Sequence, residues 1–337
     1  MSCVPDRPAV LVAGASGFAG ALAAQLVWSH PGFELAAITA RSDVGVRLDE
    51  LYPRYRVPMT LDELDLDRHG DVDAAIVAYP HAASAPVVAQ LRARGARVLD
   101  LSADYRLDDL ATYETWYGPH PHPELMPEAV YGLTELHRHA IAGAAVVATP
   151  GCYPTAVVLS LAPLARAGLL GDVVVDAKQG AGGTGRTPTP ENHLSLLGEN
   201  LFPYKVAGHR HTPEMEEQLA LLGADVRLQF QPHLAPFDQG QLTSAYVTPT
   251  RPVEPDELAV LYEDAYAGEP FIELVAGPPG VRDVRDTNFC RIQAVADPHT
   301  GKLLVFAALD NLWKGTSSQA IQNLNLMFDL DERAGLP

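Results

Sequence analysis

Cysteine is scarce in this chain of 337 residues, which has three: Cys3, Cys152 and Cys290. Their positions follow neither the pairing of a disulfide scaffold nor the spacing of a zinc site, so we expect no metal and a reducing, cytoplasmic location. Cys3, near the N-terminus, and Cys290, inside a strand pattern, are interpreted as small hydrophobic residues. Cys152 stands in a different context, described below.

Basic residues are also few, since 24 Lys and Arg stand against 42 Asp and Glu, giving a formal net charge of -18. This balance argues against nucleic acid as a partner. It does not exclude a small anionic substrate, because a few local Arg, His and backbone N–H groups can bind an anion whatever the overall charge.

A long uninterrupted apolar run is lacking too. The segment from Pro8 to Trp28 is apolar, but Gly14, Gly17 and Gly20 interrupt it and no basic n-region precedes it. A strand, a turn and a helix explain this pattern better than a signal peptide does. We therefore expect no membrane span and no membrane partner.

The length predicts two domains. The first half alternates strand and helix patterns, which predicts a parallel α/β sheet, with strands at 10–13, 34–39, 74–78, 98–101 and 146–148 and helices at 19–28 and 84–94. Residues 104–140, rich in Tyr, Pro and His, are expected to be ordered but irregular. The second half predicts an α+β domain with a mixed or antiparallel sheet, from helices at 153–167 and 316–328 and strands at 173–177, 226–231, 242–247, 289–295 and 303–308.

A glycine triplet lies between the first strand and the first helix, in "VLVAGASGFAG". Gly14, Gly17 and Gly20 permit a tight turn, close approach of a phosphate and close helix–strand packing, and Ser16 and Phe18 belong to the same turn. The order of elements predicts a dinucleotide site of the Rossmann type. An ordinary strand-to-helix turn is the alternative.

The end of the second strand bears on the choice of nicotinamide cofactor. An NAD site usually carries an acidic residue there, whereas "ITARSD" presents Arg41 and Ser42 first. This favours NADP. The alternatives stay open, because Arg41 can be a solvated loop residue and Asp43 is close by.

The stretch "VVATPGCYPTA" predicts a reactive cysteine. A strand ends there, Gly151 allows a sharp turn, and Pro154 suits the first position of a helix, which places Cys152 at or just before the helix N-cap. The helix dipole and the free N–H groups favour a thiolate at that point. The alternative is a small buried hydrophobic residue.

Five motifs in order carry a resemblance to a known family: "GASGFAG", "LDLSADYRL", "ATPGCYPTA", "YKVAGHRHTPE" and "DNLWKGTSSQAIQNLNLMF". From end to end the chain resembles the N-acetyl-γ-glutamyl-phosphate reductases of the arginine pathway, relatives of aspartate-semialdehyde and glyceraldehyde-phosphate dehydrogenases. The resemblance implies an NADP-binding Rossmann domain at 1–151, a catalytic, substrate and oligomerisation domain at 152–310, and a C-terminal helix at 311–337 that returns to the first domain. It also implies a homotetramer or homodimer.

A histidine pair in "GHRHTPE" supplies candidates for the proton shuttle. Two alternating histidines at the end of an extended segment point to opposite faces, so only one can face a substrate. The resemblance favours His211 as the general acid/base, with His209 as the alternative. Glu214 orients the imidazole, or it only favours the helix dipole.

Other candidates concern anion and cofactor binding. Arg106 follows a strand end and suits a phosphate or a carboxylate, with a surface salt bridge as the alternative, and Ser102 is expected in the same crevice. Gly182, in "QGAGGTGRTP", either exposes backbone N–H groups to cofactor or phosphate or belongs to a flexible loop. The resemblance implies that Asn311 meets the nicotinamide carboxamide.

The resemblance implies a reductase that works through a thioester on Cys152. The substrate would be N-acetyl-L-glutamyl 5-phosphate, an acyl phosphate, reduced by NADPH to N-acetyl-L-glutamate 5-semialdehyde with release of phosphate. One alternative is a reductase of a carrier-protein-linked lysine or arginine route, for which the charge of -18 gives no support. Another is a non-catalytic NADP sensor, against which Cys152, His211 and Arg106 argue together.

Overall fold

The computed structural model describes residues 7–337, so Cys3 lies outside the described residues. Their contacts divide the chain into two compact units. The first runs to Pro150 and resumes at Thr316, and the second spans Gly151–Gly315. The sequence predicted domain boundaries directly after residues 151 and 310. The functional roles that it assigned to the three predicted segments stay predictions.

The first unit contains a six-stranded sheet in which all pairings are parallel. The order is β2-β1-β3-β4-β6-β5, with β1 (Ala9–Ala13), β2 (Glu34–Thr39), β3 (Ala74–Val77), β4 (Arg97–Asp100), β5 (Ala129–Tyr131) and β6 (Val146–Ala148). The helices are α1 (Phe18–Trp28), α2 (Leu48–Leu51), α3 (Leu66–His69), α4 (Ala85–Ala93), α5 (Leu110–Tyr117) and α6 (Thr134–Ala142). Buried strands such as β3 consist of small and β-branched residues, as a parallel sheet requires. The Rossmann-type prediction is confirmed.

The segment 104–140 is more regular than the sequence indicated. It contains α5, β5 and most of α6, so the prediction of irregular structure is wrong. Asp109 caps α5 by accepting the Thr112 N–H at 2.8 Å, and Gly118, with a φ of 89°, ends it. His137 breaks the regularity of α6. Short elements with such interruptions carry too little periodicity to be recognised.

The second unit contains a seven-stranded mixed sheet, as predicted. The order is β11-β12-β13-β10-β7-β9-β8, with β7 (Leu170–Gly180), β8 (Phe202–Pro203), β9 (Leu228–Ala235), β10 (Gln241–Pro249), β11 (Ile272–Leu274), β12 (Cys290–Ala296) and β13 (Leu303–Leu309). Its helices are α7 (Cys152–Arg166), α8 (Leu194–Leu197), α9 (Thr212–Leu221) and α10 (Pro255–Tyr266). Helix α7 packs against β7, β10 and β13, whose facing side chains form the core.

The chain leaves the second unit through a π-helical turn, Trp313–Ser317, and then forms α11 (Ser318–Met327). The predicted single helix at 316–328 is therefore shorter and begins differently. Within the first unit, α11 is anchored by polar contacts: Thr134 donates its hydroxyl to the Asn323 side chain at 2.7 Å, and Asn323 donates to the Gly132 carbonyl at 2.8 Å.

Candidate active site

The glycine-rich turn joins β1 to α1. Gly14 has a φ of 94°, and a Cβ there would lie 2.6 Å from the Ala78 carbonyl oxygen, while a Cβ on Gly20 would strike the Gly14 carbonyl. Both positions therefore require glycine. Gly17 is the N-cap of α1, and a Cβ on it would meet nothing closer than 3.7 Å. The turn leaves space at the helix N-terminus, where backbone N–H groups attract an anion.

The remaining predicted residues of this turn contact the segment that follows β2. The hydroxyls of Ser16 and Ser42 are 3.1 Å apart, and Tyr52 donates its hydroxyl to the Ser16 carbonyl at 2.8 Å. The ring of Phe18 packs edge-on against Tyr52, with centroids 6.2 Å apart. The structure thus brings Ser16 and Ser42 together.

Arg41 lies on the wall of a cavity at the end of β2. Its guanidinium carbon is 4.6 Å from the centroid of the Tyr79 ring, a cation–π distance. The cavity has a volume of about 560 Å³, and its wall is formed by Ala40, Arg41, Val44, Glu63, Leu64, Tyr79 and Val87. An exposed arginine is therefore held beside a cavity large enough for part of a nucleotide.

The last residue of β4, Asp100, is a buried carboxylate that sequence reasoning missed. Ser84 and Ser102 donate their hydroxyls to it at 2.5 and 2.6 Å. Burial, followed by the charge of Asp104, raises the pKa of Asp100 to about 6. Ser102 also accepts the Asp104 N–H at 3.0 Å, so this serine is fixed within the loop.

Arg106 is buried, with 8% of its surface exposed. Its Nε donates to the Thr149 carbonyl at 2.7 Å and one terminal nitrogen donates to the Leu101 carbonyl at 2.8 Å. Arg106 is therefore not a surface residue. Arg106 links the carboxyl ends of the adjacent strands β4 and β6, where open α/β sheets place ligands.

Cys152 is the first residue of α7, and Gly151, extended with a ψ of 153°, is its N-cap. The prediction put the cysteine at or before the N-cap and Pro154 at the first helical position, so the helix begins two residues earlier than Pro154 indicated. The Cys152 sulfur lies 3.4 Å from Oε1 of Gln179 and can donate to it. Gln241 donates its side-chain N–H to the Cys152 carbonyl at 3.0 Å.

The two histidines of the candidate shuttle contact each other. Their ring centroids are 4.8 Å apart, and Nδ1 of His209 accepts the backbone N–H of His211 at 3.1 Å. The expectation that the rings point to opposite faces is wrong, because His211 has helical dihedral angles and a turn closes from Thr212 N–H to the His209 carbonyl.

His209 is buried among aromatic rings and His211 is half-buried. The rings of Tyr153, Tyr204 and Phe230 have centroids within 5.8 Å of the His209 ring. This burial, with the nearby positive charges of Lys205 and Arg210 as smaller causes, lowers the pKa of His209 to about 4. At neutral pH the His209 imidazole is uncharged.

Glu214 contacts the turn before the cysteine. One of its carboxylate oxygens accepts the backbone N–H of Gly151 at 2.9 Å, and the side chain is buried. Neither expected role, orienting an imidazole or favouring the helix dipole, includes this contact. Glu214 thus joins helix α9, which follows the histidines, to the residue that precedes Cys152.

The glycine-rich loop after β7 is a packed turn. Gly182 donates its N–H to the Asp238 carbonyl at 2.8 Å, and a Cβ on it would lie 2.7 Å from that oxygen. A Cβ on the next residue, Gly183, would strike the Gln179 amide. Asn311 is buried and accepts the Gly240 N–H at 2.7 Å.

Within the second unit the structure brings Cys152, His209, His211 and Glu214 into one cluster around the start of α7. Gln179 joins it, and sequence reasoning missed this residue. A signal was available, because Gln179 is a polar residue on the inward face of β7 directly before the glycine-rich loop. Among the described residues no group of His, Cys, Asp and Glu could hold a metal, and no helix is long and apolar enough to cross a membrane.

Comparisons with known proteins agree across the chain. Residues 9–144 match the family description "Semialdehyde dehydrogenase, NAD binding domain", and residues 152–311 match "Semialdehyde dehydrogenase, dimerisation domain". Relatives named N-acetyl-gamma-glutamyl-phosphate reductase include those of Desulforudis audaxviator, 45% identical over 96% of each chain, and Geobacter sulfurreducens, 43% identical over 97% of each.

Solved structures share the fold at low sequence identity. Aspartate semialdehyde dehydrogenase II of Vibrio cholerae, complexed with ASA, superimposes with a TM-score of 0.74 at 17% identity, over 96% of this chain and 99% of that one. The Candida albicans enzyme with NADP gives 0.67 at 14% identity over 96% and 99%. The two family models and the relatives of 43–45% identity show that the chain belongs to the semialdehyde dehydrogenase family, in its N-acetyl-gamma-glutamyl-phosphate reductase branch.

Proposed function

We propose that this chain catalyses the NADPH-dependent reduction of N-acetyl-L-glutamyl 5-phosphate to N-acetyl-L-glutamate 5-semialdehyde and phosphate, a step of arginine biosynthesis. The observation that carries the proposal is Cys152 at the first position of α7, with Gln179 beside its sulfur. The relatives named for this activity share 45% identity or slightly less over nearly the whole chain.

Cys152 is the nucleophile. The N-terminus of α7 favours its thiolate, which attacks the acyl carbon, and the phosphate leaves with the electron pair of the broken C–O bond. A thioester then joins the acyl group to Cys152. When bound, NADPH supplies the hydride that reduces this carbon. The C–S bond of the resulting hemithioacetal breaks, which releases the aldehyde and restores the cysteine.

His211 is our general acid/base for the hemithioacetal oxygen. The hydroxyl must lose its proton as the C–S bond breaks, and a half-buried imidazole next to the nucleophile turn can accept it. His209 is the weaker alternative, since its lowered pKa makes it a poor proton acceptor and its Nδ1 already accepts the His211 N–H. Glu214 supports the same cluster through Gly151.

Arg106 and Ser102 are our candidates for binding the substrate's anionic groups. Both lie on the loop after β4, and the bonds of Arg106 to the Leu101 and Thr149 carbonyls tie this loop to the ends of β4 and β6. A pre-formed loop at the carboxyl ends of parallel strands suits recognition of a phosphate or a carboxylate.

The cofactor we propose is NADP. The turn formed by Gly14, Gly17 and Gly20 offers N–H groups to a pyrophosphate, and Arg41 beside its cavity suits the 2′-phosphate. Ser16, Phe18 and Ser42 complete this surface. Gly182 and Asn311 are our candidates on the nicotinamide side, by analogy with related dehydrogenases.

We assign cofactor binding to the first unit, with its returning helix α11, and catalysis and subunit contact to the second.

One face of the second sheet carries an apolar row in register, formed by Val174, Tyr246, Leu304 and Val295. Tyr246 and Val295 are each 38% exposed, and residues 152–311 match a dimerisation domain. A second copy of this chain is the partner we propose for this face, as a homodimer or within a homotetramer, in the cytoplasm. Tyr246→Arg should then lower the mass measured by light scattering, and an unchanged mass would contradict this surface.

The alternatives make different predictions. A carrier-protein-linked reductase would need a surface for an acidic carrier, and the net charge of -18 does not favour one. A non-catalytic NADP sensor would have no use for a cysteine whose sulfur, carbonyl and preceding N–H are each held by a polar side chain.

The experiment that tests the proposal follows NADPH oxidation with enzymatically generated N-acetylglutamyl phosphate, and the reverse reaction of the semialdehyde with NADP and phosphate. Aspartyl phosphate and a carrier-linked acyl phosphate serve as comparison substrates. We expect turnover that depends on phosphate in the reverse direction and that is fastest with the N-acetylglutamyl substrate. Absence of phosphate-dependent turnover would contradict the proposal.

A further inference from the structure

Gly315 lies directly against the candidate nucleophile. A Cβ on Gly315 would be 2.7 Å from the Cβ of Cys152 and 3.2 Å from its Cα. These atoms belong to the first residue of α7 and are not the end of a flexible side chain. Any side chain at position 315 must therefore displace Cys152 or the turn that carries Gly315.

The turn that carries Gly315 is strongly anchored. Gly315 donates its N–H to the Asp310 carbonyl at 2.9 Å, the wide closure of the π-helical turn. The buried Asp310 carboxylate accepts the N–H groups of Leu312 and Trp313 at 2.9 and 3.2 Å, and that of Asp286 at 2.9 Å. Burial raises the pKa of this carboxyl, and these backbone bonds act in the opposite direction. π-Helical turns are frequent at functional sites.

Cys152 is confined on its other sides as well. Gln241 holds its carbonyl, Glu214 holds the N–H of Gly151 before it, and Gln179 lies beside the sulfur. With the backbone fixed in this way, the remaining freedom of the residue is the direction of its Cβ–Sγ bond. The backbone of Gly315 lies against the Cβ of Cys152 and so limits the directions that the Cβ–Sγ bond can take.

We propose that Gly315 is a positioning residue for the reaction. Its lack of a side chain lets the anchored turn close against Cys152 and hold the sulfur at the N-terminus of α7, toward Gln179. This inference rests on the proposed function, because it assumes that Cys152 is the nucleophile. Displacements of about 1 Å at a reacting group can lower the rate about 100-fold.

The test compares Gly315→Ala with Gly143→Ala. Gly143 ends α6 with a φ of -99°, and nothing lies within 4 Å of a Cβ there, so the control adds the same methyl group without a clash. Iodoacetamide is the probe, and mass spectrometry of the Cys152 peptide measures its alkylation rate across pH. This readout needs neither substrate nor cofactor, so it tests Gly315 even if the proposed reaction fails.

For Gly315→Ala we expect alkylation of Cys152 at least about five-fold slower at neutral pH and a pH profile displaced upward, because the sulfur leaves the helix N-terminus. The kcat should fall roughly 10- to 100-fold with little change in the KM or the dissociation constant for NADPH. If this variant does not fold, Asp310→Asn, which weakens the anchor of the turn, should change alkylation in the same direction. Alkylation as fast as or faster than in the wild-type protein, in a folded variant, would overturn the proposal.

Discussion

The carboxylate of Glu214 accepts the backbone N–H of Gly151 at 2.9 Å, across 63 residues of sequence. This bond ties helix α9, which begins after the histidine pair, to the N-cap of the helix that begins with Cys152. One buried side chain therefore joins the helix that follows the candidate base to the residue that precedes the candidate nucleophile.

Substitution of Glu214 separates hydrogen bonding from charge. Glu214→Ala leaves the Gly151 N–H without its acceptor, which costs about 1–3 kcal/mol and should lower kcat at least about ten-fold. Glu214→Gln keeps an acceptor oxygen and should retain most of the activity. Steady-state kinetics and melting temperatures measure both effects.

Glu216 provides a matched control on the same helix. It accepts the Leu228 N–H at 2.9 Å, away from Cys152, so Glu216→Ala should lower stability without lowering kcat. Equal losses in Glu214→Gln and Glu214→Ala would show that the charge of Glu214, not its contact with Gly151, is what the reaction requires.

The two histidines should differ sharply on substitution. His211→Asn removes the proposed acid/base and should reduce kcat roughly 10²- to 10⁴-fold. His209→Asn keeps an acceptor near the position of Nδ1 for the His211 N–H, so it should lose far less, and less than His209→Ala. Steady-state kinetics of the three variants, with NADPH binding as the control, test this order. A loss in His209→Asn as large as in His211→Asn would contradict the assignment.

The lowered pKa of His209 predicts a dependence of stability on pH. Its unfolded pKa is 6.5 and its folded pKa is about 4, so the unfolded state binds the proton first as pH falls. The contribution of His209 to the free energy of unfolding is fully present above pH 6.5. As the pH falls from 6.5 to 4, this contribution is lost progressively, by at most about 3 kcal/mol. Melting temperatures should fall more steeply over this window in the wild-type protein than in His209→Asn. Parallel pH curves would show that His209 titrates normally.

Arg41 should decide the preference between the two nicotinamide cofactors. Arg41→Ala removes a charged donor from the cavity at the end of β2, so the KM for NADPH should rise about 10- to 100-fold while that for NADH changes little. Arg47→Ala is the control, because this nearby arginine is paired with Asp49 at 2.7 Å. An equal change in both KM values would remove Arg41 from the 2′-phosphate site.

The glycine turn and Cys152 could be found from the sequence because their structure is local. A strand, a few residues of turn chemistry and a helix fix the positions of Gly14, Gly20 and Cys152 within some ten residues each. Only the exact start of α7 was predicted wrongly. The sequence indicated Pro154 as the first helical residue, whereas Gly151 is the N-cap and Cys152 is the first residue of the helix.

The partners of these residues could not be found in the same way. Gln179 reaches the Cys152 sulfur through the alternation of β7, and Gly315 reaches its Cβ through a turn near the end of the second unit. Such contacts depend on strand order and packing, which periodicity does not encode. The same holds for His209, whose aromatic surroundings come from α7, β9 and the loop after β8.

The thioester on Cys152 is the central claim, and it is tested most directly in the oxidative direction without phosphate. The semialdehyde adds to the thiolate, a hydride passes to NADP, and the acyl group should remain on the enzyme because no phosphate is present to accept it. We predict a burst of NADPH of at most one equivalent per subunit, with the N-acetylglutamyl group found by mass spectrometry on the peptide containing Cys152. No burst and no adduct on this peptide, in a preparation that turns over once phosphate is added, would contradict the account.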